Sequence, residues 1–222
     1  MIVAPRASSA VAVGLAVVVL TVAWPGIAKK SEPPIPVLPL SIAVARENGE
    51  AVRDDVWIDA QIAEAERLFG AEGVHFKKTA SRALDERFAR LETRADRDAL
   101  TSELQKGVVN VLIVESLRDV DDPTLHRMGV HWRPKNDIKK HYVIVAASAM
   151  PTTLAHELGH FFGNGHSQVK DNLMSYSRSG VAVFLDARQS QKIRNFARIY
   201  LRTKELVSPD AAPSAPVAAA AK

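Results

Sequence analysis

The chain of 222 residues contains no cysteine. That absence excludes disulfide frameworks, thiolate metal sites, iron–sulfur clusters and cysteine nucleophiles. Charge of one sign is also scarce, since 29 Lys and Arg stand against 25 Asp and Glu for a formal net charge of +4. So small and dispersed an excess carries no nucleic-acid footprint, and the Lys77-Lys78 and Lys139-Lys140 pairs lack interleaved aromatics. No internal repeat is present. The hydrophobic fraction of 47% and charged fraction of 24% are those of a globular chain, which excludes wholesale disorder.

Both ends differ from the middle. Residues 10–23 (AVAVGLAVVVLTVA) form an uncharged apolar run preceded by Arg6 and followed by Lys29 and Lys30. The run is short for a membrane span, which needs about 20 apolar residues, but it suits the core of a signal peptide. Residues 1–28 are therefore expected to be a signal peptide or an N-terminal anchor, with small residues for cleavage at Gly26-Ile27-Ala28. Export follows as an expectation: secreted, periplasmic, or anchored facing outside the cytoplasm, with membrane contact only through an uncleaved N-terminal segment. Residues 29–39 read as a Pro-rich linker, residues 40–206 as the folded domain, and residues 207–222 as a disordered Pro- and Ala-rich tail. Oligomeric state is not legible.

Within the domain, apolar runs at Leu38–Ala45, Val108–Val114 and His141–Ala147 predict buried strands, with further strands beginning at Val74 and spanning Met128–Trp132. Asp54 or Asp55 can cap a helix carrying Ile58, Ile62, Ala65 and Phe69, which Gly70 can end. Leu84, Phe88 and Leu91 are spaced for a charged amphipathic helix, and Leu100 with Leu104 continue it or start another. A final helix is expected over Ala187–Leu201, with Ile193, Phe196, Ala197 and Tyr200 inward. The expected fold class is α+β with an α/β-like N-terminal part and a mostly parallel twisted sheet backed by helices.

The chemistry lies between His156 and Tyr176. His156-Glu157-Leu158-Gly159-His160 is the pattern H-E-x-x-H. On a helix the two histidines are about 40° apart in rotation and one turn apart in height, so both rings leave one face. Such a pair can bind one Zn2+, while Glu157 between them suits a general base acting on water. Gly163 and His166 extend the pattern to H-E-x-x-H-x-x-G-x-x-H. On a continuous helix His166 would point about 240° from His160. The helix must therefore end and reverse, and Gly163 stands where positive φ is needed. Three neutral imidazoles leave one tetrahedral position for water, the arrangement of a catalytic site.

HELGHFFGNGH followed by Asn172-Leu173-Met174-Ser175-Tyr176 resembles the metzincin clan of zinc metallopeptidases, whose members carry this long motif and a downstream Met-turn. The resemblance implies His156, His160 and His166 as zinc ligands, Glu157 as general base, and Met174 as the floor of the site. It also implies an active-site helix followed by a small C-terminal part with the Met-turn and the final helix. Tyr176 matches a position that in some members binds the metal or stabilises the oxyanion. The implied activity is a zinc-dependent endopeptidase acting on a peptide or protein substrate held along an edge strand, for which Met128–Trp132 is the candidate. Ser167 and the missing cysteine switch leave the family within the clan unassigned. Two alternatives share the metal: an exported zinc-containing binding protein without proteolysis, and a zinc amidase acting on a non-peptide or cell-wall amide. His75, His126, His131 and His141 read as strand or loop residues, and Asp119, Asp121 and Asp122 as a solvated loop.

Overall fold

A computed structural model describes residues 32–137 and 139–210. The expected export segment and most of the C-terminal tail lie outside these described residues. Strand β1 (Leu38–Glu47) runs through the middle of the sheet. It pairs in parallel with β3 (Phe76–Leu84) on one side and β5 (Val109–Val114) on the other. Strand β8 (Tyr142–Ala146) extends the parallel set beyond β5, and β7 (Gly129–Trp132) closes that edge antiparallel to β8. A short β2 (Glu50–Ala51) folds back on the end of β1 through Asn48 and Gly49, both at positive φ. The sheet is mostly parallel, as expected.

Alternation sends each strand into two cores, which is why β1, β5 and β8 read as unbroken apolar runs. On one face Leu40, Ile42, Val111, Ile113, Val143 and Val145 meet three helices. These are α1 (Asp55–Gly70), α3 (Thr153–Phe161) and α4 (Ala187–Arg202). On the other face Ala43, Leu112, Val114, Tyr142 and Ile144 pack with Leu84, Phe88, Leu91 and Leu100. Each fully buried Leu, Ile or Phe contributes about 1.5–3 kcal/mol. Asp54, rather than Asp55, caps α1 by accepting from the Trp57 N–H at 2.9 Å. The helix runs through Gly70, and the positive φ that ends the turn falls on Gly73.

The helix expected over Leu84, Phe88 and Leu91 is not formed, and the helical segment that reaches Leu100 starts anew. Leu84 ends β3, Glu86–Phe88 is one 3-10 turn, and β4 (Arg90–Leu91) pairs in parallel with β6 (Ser116–Leu117). Only α2 (Arg94–Ala99) is α-helical. Asp85 takes the Arg87 N–H, and Thr93 with Asp96 forms a reciprocal capping box. These short polar side chains offer the backbone local partners that restart the chain twice, and the apolar spacing survives because all four side chains enter one core. Ile35 is buried and β1 begins at Leu38, while Val207 donates its N–H to Gly107 O at 2.8 Å. No helix among the described residues is long and apolar enough to cross a membrane.

Candidate metal centre

Helix α3 lies under the β8 end of the sheet and is positioned by α1. Buried Gln61 accepts from the Leu154 N–H at 3.1 Å and donates to Met150 O at 2.9 Å. It thus supplies the capping bond that Thr152 does not make. From this helix His156 and His160 project together, with their Nε2 atoms 3.1 Å apart. The helix then stops. Asn164 donates its N–H to Gly159 O at 3.0 Å, and Gly163 adopts φ +81°. The reversed chain brings His166 Nε2 to 3.1 Å from His160 Nε2.

Among the described residues these three histidines form the group of ligand atoms close enough to share a cation. A tetrahedral ion with metal–nitrogen bonds of 2.0–2.1 Å separates its ligand nitrogens by about 3.3 Å, so the observed spacing fits. The rings also present the correct atoms. His156 Nδ1–H donates to Leu173 O at 2.7 Å and His160 Nδ1–H to Asn164 O at 2.8 Å, leaving each Nε2 as a lone pair. Burial lowers the pKa of both, His156 to about 4, which favours the neutral form that binds metal.

Beneath the rings is a turn built on Asn172. Its side-chain oxygen accepts from the Met174 N–H, and its amide exchanges two hydrogen bonds with Gln189 at 2.8 and 2.9 Å. Met174 is fully buried against Gly159 of α3. Arg178 holds the same turn by donating to Asn172 O at 2.8 Å and Leu173 O at 3.0 Å. That contribution is not legible in the motif, because Arg178 bonds only backbone carbonyls there. Tyr176 is exposed, yet its hydroxyl stands 2.7 Å from His166 Nε2, within reach of anything the histidines hold.

Glu157 is buried, and that burial pushes its carboxyl up to about 8, opposed by the His131 backbone N–H and the Arg127 charge. It stands at the junction of two cavities. One, of about 250 Å³, is bounded by Met128, Met150, Thr153 and Arg178. The other, of about 580 Å³, runs along β7 past His131 and Trp132 to His160, His166 and Arg97. Both include Gly129, Glu157 and Tyr176. A cleft that passes three histidines able to hold a metal ion and is flanked by an edge strand can accommodate an extended chain.

Other sequence candidates fall elsewhere. Trp132 lines the cleft and is also anchored, donating Nε1–H to Asp98 at 2.7 Å with the Arg97 guanidinium 4.8 Å from its ring centre. Asp119 is buried rather than solvated. It accepts the Asp121 and Asp122 N–H groups and pairs with Arg127.

No protein-family model and no curated protein matches the sequence. Solved structures do match. Mature mirolysin of Tannerella forsythia, determined in complex with a cleaved peptide, aligns with TM-score 0.54 and 13% identity over 78% of this chain and 99% of that one. Archaemetzincin from Methanopyrus kandleri aligns with TM-score 0.50 and 19% identity, covering 73% and 96% of the two chains. Metalloproteinase-II from Bacteroides fragilis aligns with TM-score 0.52 and 15% identity over 75% of this chain, which spans about half, 55%, of that one. The chain therefore has the fold of the metzincin-type metalloproteinases, with no family inside that clan assigned.

Proposed function

We propose that the chain is a zinc-dependent endopeptidase. The observation that carries this reading is the convergence of the His156, His160 and His166 Nε2 atoms beside a buried carboxylate in a cleft. When bound, Zn2+ would acidify water and polarise a peptide carbonyl. The protein residues supply the rest. Glu157 takes the proton of the attacking water and returns it to the departing amine nitrogen. A neighbouring divalent charge favours the ionised carboxylate that the base role needs, offsetting the effect of burial. The Tyr176 hydroxyl donates to the oxyanion as it develops. Strand β7 aligns the peptide by backbone hydrogen bonds. The cleaved peptide in the mirolysin complex supports the same substrate class for this fold. The apolar run at residues 10–23 supports action outside the cytoplasm.

The test compares zinc-loaded wild-type protein with Glu157→Gln on a mixed peptide library, with products sequenced by mass spectrometry. Internal cleavage by the wild type, and its loss in a variant that keeps its zinc, is the expected result. Equal cleavage by the two would remove Glu157 from the base role. No internal cleavage by the loaded wild type would contradict the endopeptidase reading.

A further inference from the structure

Behind the cleft wall lies a cluster that hydrolysis as described does not use. His131 of β7 places its Nε2 2.8 Å from His141 Nδ1, and His141 Nε2 is 2.5 Å from a carboxylate oxygen of Glu205, beyond α4. The His141 side chain is buried, stacked on Phe161 with ring centres 4.1 Å apart, and Phe161 follows the ligand His160 in α3. The Glu205 side chain is about one-third exposed, so the chain of contacts runs from the cleft to the surface.

The partners determine the direction of these bonds. Glu205 as a carboxylate only accepts, so His141 Nε2 carries the proton. Arg133 Nη2, which only donates, lies 3.3 Å from His141 Nδ1, so that nitrogen is an acceptor. His131 Nε2–H must then be the donor to His141, and a neutral His131 keeps a bare lone pair on Nδ1. Burial, aided by the neighbouring Arg133 charge, lowers the His131 pKa to about 2, in keeping with a neutral ring. No described group pairs with that Nδ1, and His131 lines the cavity that also contains Glu157 and His160.

We propose that Glu205 and His141 act as positioning residues that hold His131 with Nδ1 as an acceptor, and that this atom receives a backbone N–H of the bound peptide. His131 is thereby a substrate-binding residue. The substrate half of this inference rests on the endopeptidase reading, whereas the polarity of the relay does not.

Two measurements on the zinc-loaded full chain test it. Nitrogen-15 spectra of histidine-labelled protein should show His131 protonated at Nε2 and bare at Nδ1. Glu205→Lys combined with Arg133→Leu replaces the acceptor at the surface end by a donor and removes the second donor facing His141 Nδ1. It should move the His131 proton to Nδ1 and raise KM about three- to tenfold at nearly constant kcat, the signature of lost uniform binding. His131→Leu should raise KM similarly. His131→Asn, whose side-chain oxygen can occupy the Nδ1 position, should recover much of that loss. Peptides N-methylated one position at a time should lose affinity for the wild type at one site and show no such loss there with His131→Leu. A wild-type ring protonated at Nδ1 would overturn the relay. Variants that lower thermal stability while KM stays unchanged would reduce the cluster to packing and overturn the substrate contact. Failure of the wild type to cleave any peptide would count against the endopeptidase reading and the contact together, while the spectra still decide the relay.

Discussion

A Cβ atom on Gly129 would lie 2.8 Å from Glu157 Cγ and 2.8 Å from Thr153 Cγ2. Strand β7 therefore approaches α3 at a distance that only glycine permits, and the buried carboxylate is held against the backbone of the edge strand. Gly129→Ala must push either the strand or the carboxylate aside, at a cost of about 1–3 kcal/mol in stability. Peptide hydrolysis should fall at least about tenfold, since small misplacements of a catalytic group are costly. Zinc retention should be unchanged because no ligand moves. Activity and metal content measured on the same sample check this, and parallel loss of both would contradict it.

Gly159 and Met174 repeat the relationship beneath the rings. A Cβ on Gly159 would collide with the Met174 sulfur. The glycine between His156 and His160 thus admits Met174 to the helix surface. Gly159→Ala should destabilise the protein by about 1–3 kcal/mol through overpacking. Adding Met174→Ala to it should recover part of that loss, because the two residues share one volume. Thermal unfolding of the two single variants and the double variant would show this as a non-additive cycle. Strictly additive losses would contradict the shared volume.

His131 gives a pH dependence of defined sign. Its pKa is lowered from 6.5 to about 2 by burial and by neighbouring His141, Arg133 and His160. Below about pH 6.5 the unfolded chain binds a proton that the folded chain refuses, so stability falls as pH drops, down to about pH 2. The slope from this group is up to about 1.4 kcal/mol per pH unit. Between pH 6.5 and 5 His131→Asn should lose about 2 kcal/mol less than the wild type in the same metal state. Denaturant unfolding at the two pH values checks it, and equal losses would show that His131 is protonated without cost in the fold.

The legible part of the site is the part that local geometry governs. One helical turn sets His156 beside His160, and the need to reverse direction before His166 identifies Gly163, whose Cβ would stand 2.7 Å from Phe196 Cε2. Strands β1, β5 and β8 were readable because burial on both faces leaves them uniformly apolar. The constraints on Gly129 and Gly159 were not, since each arises from a neighbour that tertiary packing supplies. The same holds for the His131–His141–Glu205 relay, whose last two members are 64 residues apart. The segment from Leu84 to Leu91 imitates one helical stripe because core-facing residues from a strand end, a 3-10 turn and a two-residue strand fall at helical spacing. The capping residues Asp85 and Thr93 were the available signal.

The most direct test is X-ray absorption at the zinc edge, combined with metal quantification, on protein reconstituted with one equivalent of Zn2+. The expected result is one tightly held ion per chain with three imidazole nitrogens at about 2.0–2.1 Å, and loss of one imidazole in His166→Ala. A chain that retains no zinc, or retains it without histidine in its shell, would contradict the metal centre on which the proposed hydrolysis depends.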